Sequence, residues 1–130
     1  MKTSRAVRGS KLVVVIEDDP LVLEATSSLL RSWGCQVVAA ETCDQAKQML
    51  ATVGKRPDLI VCDYRLPHGT TGVDAIGVLR SAFEIPALLI SGDVNSPPSV
   101  AQPGGYDLLH KPVNPETFRT ALINALVLAR

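Results

Sequence analysis

The sequence has no charge of one sign in excess: lysine plus arginine and aspartate plus glutamate stand at 13 each in 130 residues. Such a balance gives no reason to expect DNA, RNA or an anionic membrane as the main partner. A Cys-x-x-Cys pair is also missing. Cys35, Cys43 and Cys62 are odd in number and irregularly spaced, which argues against a disulfide framework or a zinc site and fits reduced thiols in a cytoplasmic setting. Long hydrophobic runs are absent too, and nothing approaches the roughly 20 residues of a membrane span, so no membrane contact is expected. Lys2, Arg5 and Arg8 are not followed by the apolar stretch of a secretory signal. Residues 1–10 therefore read as a flexible tail or linker, with one folded domain over 11–130. Internal repeats and low-complexity tracts are lacking as well.

What is present is a globular composition, 46% hydrophobic, in a chain long enough to bury a core without staples. Leu12 to Ile16 is a continuous apolar run of the kind that forms a strand buried on both faces. Pro20 to Trp33 carries Leu21, Val22, Ala25, Leu29 and Leu30 at helical spacing, with Gly34 to stop it. Gln36 to Ala40 is a second strand. Thr42 caps a helix to about Val53 that Gly54 closes. Asp58 to Cys62 is a third strand, residues 63–72 a loop, Val73 to Phe83 a helix, and Ala87 to Ile90 a fourth strand. Between Ser91 and Gly105, Pro97, Pro98 and Pro103 leave room for at most a short helix near 99–102. Tyr106 to Leu109 is a fifth strand. Asn114 caps a last helix with Phe118, Ala121, Leu122, Ala125 and Leu126 on one face. Regular alternation of this kind predicts an α/β, doubly wound parallel sheet with helices on both faces. Ligands of such sheets bind beyond the carboxyl ends of the strands.

Those ends gather chemistry. Glu17, Asp18 and Asp19 end the first strand, Asp63 the third, Ser91 and Gly92 the fourth, His110 and Lys111 the fifth. Crowded carboxylates repel unless a cation sits among them, and oxygen donors suit Mg²⁺, which also takes phosphate oxygens. Acids ahead of a helix are equally at home as N-caps, so the acid run by itself leaves both readings open. Lys111 at the same edge shifts the balance, because a lysine there could pair with Asp63 and offset charge on a phosphoryl group. Attack by the Asp63 carboxylate on such a group would give an acyl phosphate, with Ser91 donating a hydrogen bond and Gly92 leaving room.

Four segments then carry a resemblance: LVVVIEDDPLV at 12–22, PDLIVCDYRLPHGTTG at 57–72, PALLISGD at 86–93 and LLHKPVNP at 108–115. In this order and spacing they are similar to the response-regulator receiver domain of two-component systems, over nearly the whole chain. The resemblance implies a flavodoxin-like five-stranded parallel sheet in the order 2-1-3-4-5. It implies Asp63 as phosphoacceptor, Glu17 and Asp18 as the acidic pair supporting Mg²⁺, the Arg65 backbone carbonyl as a further ligand, Ser91 as switch hydroxyl, Lys111 as the family's lysine and a cis Lys111–Pro112 bond. Asp19 is expected to stay off the metal. A histidine kinase or histidine phosphotransfer domain is the implied phosphodonor. Leu108 stands where the family often has an aromatic switch residue, with Tyr106 two positions further back, and the fourth helix is expected to be short or disordered, so the readout should differ from the usual one. The wording of DYRLPHGTTG and LLHKPVNP is similar to receivers of hybrid histidine kinases. The chain contains no kinase catalytic region, and no helix-turn-helix follows the last helix, so direct nucleic-acid binding is not expected.

The remaining residues read more plainly. His68 and His110 are taken as ordinary surface histidines, Cys62 as a packed, inert thiol and Trp33 as a packed helix end. For Arg65, tuning of the phosphate lifetime and simple solvation weigh equally. Apolar residues on the last helix could support a homodimer. Among rival functions, an unphosphorylated receiver-like interaction module would be expected to have lost part of the set Glu17, Asp18, Asp63, Ser91 and Lys111. An aspartyl-phosphate phosphatase of the haloacid-dehalogenase type would carry a second Asp where Arg65 stands. A flavin-binding protein would find its phosphate repelled by the acidic first loop.

Overall fold

A computed structural model describes residues 10–92, 106–111 and 114–128. Its strands are β1 (Leu12–Ile16), β2 (Gln36–Ala40), β3 (Leu59–Asp63), β4 (Ala87–Ser91) and β5 (Tyr106–His110), and its α-helices are α1 (Pro20–Ser32), α2 (Cys43–Val53), α3 (Gly72–Arg80) and α4 (Pro115–Leu128). All strand pairs are parallel and the sheet order is β2-β1-β3-β4-β5, as expected. The expected flexible tail, the short helix near 99–102 and the cis bond at Pro112 fall outside the described residues.

Side chains alternate across a strand, and here the alternation builds two cores. Val14, Ile16, Ile60, Cys62 and Leu89 face α2 and α3, joined by Leu50, Ile76 and Leu79. Val13, Val15, Val61, Leu88 and Ile90 face α1 and α4, joined by Leu30, Phe118 and Leu122. Because the sheet is covered twice, its central strands carry no polar side, which is why β1, β3 and β4 are apolar runs and not alternating ones. Trp33 does pack a helix end: its ring meets Phe118 edge-on at 5.6 Å, and the Arg119 guanidinium lies 5.9 Å from its centroid.

Local chemistry sets the boundaries. The Asp19 carboxylate accepts hydrogen bonds from the Leu21 and Val22 amides and caps α1. Thr42 caps α2, and Gly54, with φ of 72°, ends it in the left-handed conformation. Asn114 Oδ1 accepts from the Glu116 amide at 2.7 Å to start α4. Three expectations need correction. Asp58 is not a strand residue, because its carboxylate accepts the Leu12 amide at 2.8 Å and ties the starts of β1 and β3 together. Helix α3 stops at Arg80 instead of reaching Phe83; the Ser81 hydroxyl donates to the Val78 carbonyl at 2.6 Å, and Pro86 disfavours helix just beyond. In α1, Leu21 is 82% exposed and Ala25 is exposed, while Ser27 is buried. Leu21 lies about 200° round the helix from Leu23 at 3.6 residues per turn, so it misses the stripe that packs on the sheet.

Ser27 Oγ is buried and has no hydrogen-bond partner among the described residues. An unsatisfied hydroxyl loses its hydration without recompense, and alanine is also the better helix former. Ser27→Ala should therefore raise the urea midpoint at unchanged slope, by an amount on the order of 1 kcal/mol, as read from equilibrium unfolding.

Candidate functional site

The parallel register delivers the strand ends to one place. Ile16 pairs with Cys62, Asp63 with Ile90 and Ser91 with His110. The residues that follow β1 and β4 therefore flank the end of β3, with those after β5 one strand further out. The Glu17 amide donates to the Ala40 carbonyl at 3.0 Å and the Lys111 amide to the Ser91 carbonyl at 2.8 Å. These bonds extend the ladder by one step and fix both backbones at the mouth of the site.

Carboxylate oxygens of Glu17, Asp18 and Asp63 lie within 4.8 Å of one another. Glu17 and Asp63 are 6% and 8% exposed, whereas Asp18 is open to solvent. Lys111 Nζ reaches both buried acids, at 3.2 Å from Asp63 Oδ1 and 3.4 Å from Glu17 Oε1. Asp63, Arg65, Gly92 and Lys111 line an open pocket of roughly 440 Å³. Ser91 is buried at its edge, at 1% exposure. Five of the expected site residues, Glu17, Asp18, Asp63, Arg65 and Lys111, thus meet at one edge, with Ser91 beside them. Asp19 instead caps α1, and its amide donates to Glu17 Oε2 at 3.1 Å.

The electrostatics follow from burial. Desolvation pushes the Asp63 carboxyl above its usual range, Lys111 works against that rise, and Asp18 adds to it. Burial raises Glu17 as well, opposed by the Asp19 amide and Lys111 and reinforced by Asp63. Lys111 feels its own burial as a lowering influence, but the two carboxylates outweigh it and hold the ammonium charged. Lys111 thus contacts two of the three acids, and a cluster of hard carboxylate oxygens is the environment a divalent cation such as Mg²⁺ fills. Cys62, immediately before Asp63, is fully buried and its thiol is pushed well up by desolvation, so it packs and does not react, as expected. His110 is exposed, as expected; the side chain of His68 lies outside the described residues.

Two features of the loop after Asp63 escaped the sequence reading. The Gly72 amide donates to the Tyr64 carbonyl at 2.7 Å, and Arg65 and Thr71 form an antiparallel bridge, so the loop is a closed neck. A Cβ on Gly72 would collide with the Asp63 carbonyl oxygen and lie 2.5 Å from Leu89 Cδ1. Thr71 and Asp74 then form a reciprocal capping box at the start of α3. The Thr-x-x-Asp spacing was a readable signal for that box; nothing in the sequence marks the close approach of Gly72.

The sequence matches the response regulator receiver domain family over residues 13–123. It is 28% identical over 114 residues to the phyllosphere-induced regulator PhyR of Methylorubrum extorquens, covering 88% of this chain and 43% of that protein. To the transcriptional regulatory protein KdpE of Mycobacterium tuberculosis it is 32% identical over 113 residues, covering 85% and 49%. The chain spans about half the length of the curated relatives it matches. The solution structure of the Erythrobacter litoralis PhyR receiver domain superposes with a TM-score of 0.79 at 30% identity, over 92% of each chain.

Two outcomes test this geometry. A raised carboxyl pKa means that stability is greatest below the unfolded-state value and falls as pH rises through the folded-state value. Glu17→Gln should therefore have a higher urea midpoint than wild type at pH 7 in chelator, with the gap closing toward pH 4. Gly72→Ala, forced against backbone, should lower stability by about 1–3 kcal/mol in the same unfolding assay.

Proposed function

The chain belongs to the response regulator receiver domain family, and from that premise we propose that it is the phosphoacceptor module of a two-component phosphorelay, with Asp63 as the acceptor. The observation that carries this reading is Lys111 Nζ at 3.2 Å from Asp63 Oδ1 beside the acidic triad. An Asp63 carboxylate oxygen attacks phosphorus, an acyl phosphate forms, and the donor's phosphorus–nitrogen bond breaks with its electron pair left on the imidazole. Lys111 is placed to neutralise a phosphoryl oxygen, and Gly92 leaves the pocket open for it. Catalysis of this transfer is chiefly positioning and charge. Glu17, Asp18, Asp63 and the Arg65 carbonyl would hold Mg²⁺, which supplies charge neutralisation for the transferring group. The donor is a histidine kinase or a histidine phosphotransfer domain, on a separate protein or in the same chain as part of a hybrid.

Output is a population shift between two arrangements of the edge. A phosphoryl group adds acceptor oxygens at Asp63, and Ser91 with the Lys111 strand end adjusts to them. Leu108, packed on the α2–α3 core, replaces an aromatic rotamer as the partner of that movement. Ile123 and Val127, exposed on α4, are available to a homodimer. Among the described residues no helix is long and apolar enough to cross a membrane.

Intact mass after incubation with acetyl phosphate tests the acceptor. A single phosphoryl adduct is expected that requires Mg²⁺, is labile to base, and is absent in Asp63→Asn; Lys111→Met should reduce its yield without unfolding the protein. A folded wild type that takes no adduct from this donor or from an active histidine kinase would instead favour the unphosphorylated interaction module.

A further inference from the structure

Helices α2 and α3 cover one face of the sheet side by side and leave a groove between them. Its upper half, roughly 550 Å³, is walled by Cys43, Leu66, Pro67 and Ala75; its lower half, roughly 560 Å³, by Leu50, Ala51, Ala82 and Phe83. Lys47 and Val78 border both halves, so the groove runs the length of α2. Val78 is 44% exposed there, an apolar side chain left in water. The 11 residues of α2 correspond to about 16 Å, or three helical turns.

The two ends differ in charge. Asp44 and Asp74 stand at the end near the strand tips, whereas Lys47, Lys55 and Arg56 line the lower half, which has no acid among its described lining residues. All three cations are exposed, and among the described residues none is ion-paired: Lys55 Nζ donates to Gln36 Oε1 at 2.9 Å, and Arg56 Nη2 to the Glu84 carbonyl at 3.0 Å. Both acceptors are neutral, so the positive charge is held in place without being cancelled.

We propose that the α2–α3 groove docks a short amphipathic helix of a protein partner. Its apolar residues fill the floor at Leu50, Val78 and Phe83, and its acidic residues lie over Lys55 and Arg56. The occupant's chemistry follows from complementarity. A concave apolar floor takes i, i+3, i+4, i+7 anchors, and a cationic rim steers acids to one end. Three cations on a chain of zero net charge make a poor phosphate-backbone track, and a recessed floor does not suit a flat bilayer surface. The lower half lies at the opposite end of the sheet from Asp63, so the inference stands apart from the phosphoacceptor reading.

The probe is a fluorescein-labelled, about 12-residue helical peptide with leucines at i, i+3, i+4 and i+7 and glutamates at one end. Its control carries lysine for every glutamate. Anisotropy should show saturable binding of the acidic peptide and not of the control, with amide NMR shifts clustered at residues 47–56 and 78–83. Lys55→Glu with Arg56→Glu should weaken binding about tenfold, and Val78→Ser should weaken it too, in proteins whose circular dichroism is unchanged. The proposal is overturned if the folded wild type gives no saturable binding, or if the charge reversals leave affinity unchanged. A single-stranded oligonucleotide or anionic vesicles binding as tightly as the peptide would overturn it as well, by assigning the patch to another class of ligand.

Discussion

Lys111 Nζ contacts Asp63 and Glu17 at 3.2 and 3.4 Å, joining the ends of three strands that are far apart in sequence. Two carboxylates this deeply buried would be hard to keep charged without it, since desolvation alone favours their neutral forms. The contact depends in turn on register. Ser91 opposite His110 and Ile16 opposite Cys62 set where each chain leaves the sheet, and a one-residue slip in any strand would exchange its two faces. The apolar runs that specify register and the polar residues that follow them are therefore parts of one constraint.

Much of this was readable from the chain because the strands are buried on both faces and are apolar throughout. The caps Asp19, Thr42 and Asn114 and the stop at Gly54 obey local rules, so they too were legible. Failures came where tertiary contacts decide. Asp58 reads as the first residue of a strand until its carboxylate is seen to serve the Leu12 amide across the sheet. Leu21 and Ala25 belong to an apolar pattern, yet the stripe that packs includes Ser27, and no periodicity argument would choose a serine over a leucine. The candidate site was legible as a set, since strand ends share an edge in a parallel sheet. Burial of Glu17 but not of Asp18 was not, because adjacent residues point to different environments only once the backbone path is known.

The two cores divide the molecule in a useful way. Each strand contributes alternate residues to the α1–α4 side and the α2–α3 side, so the faces share a backbone but few side-chain contacts. The acidic edge lies where both cores end. A change at that edge is felt on either face through the backbone of β3 and β4, while a substitution on one helical surface perturbs its own layer first. Tight packing of this kind shifts between discrete arrangements more readily than it deforms smoothly.

The closed neck after Asp63 separates the length of the loop from the position of the acceptor. Tyr64 with Gly72 and Arg65 with Thr71 hold the chain on either side of residues 66–70, and Gly72 against the Asp63 carbonyl leaves no slack behind them. Extra residues inserted beyond that clasp would cost chiefly closure entropy, about 0.6 kcal/mol for each doubling in length, and would leave the carboxylate where it is. The tip of this loop beyond the buried Leu66 is thus free to change in size over evolutionary time, while Tyr64, Arg65, Thr71 and Gly72 at its base are not.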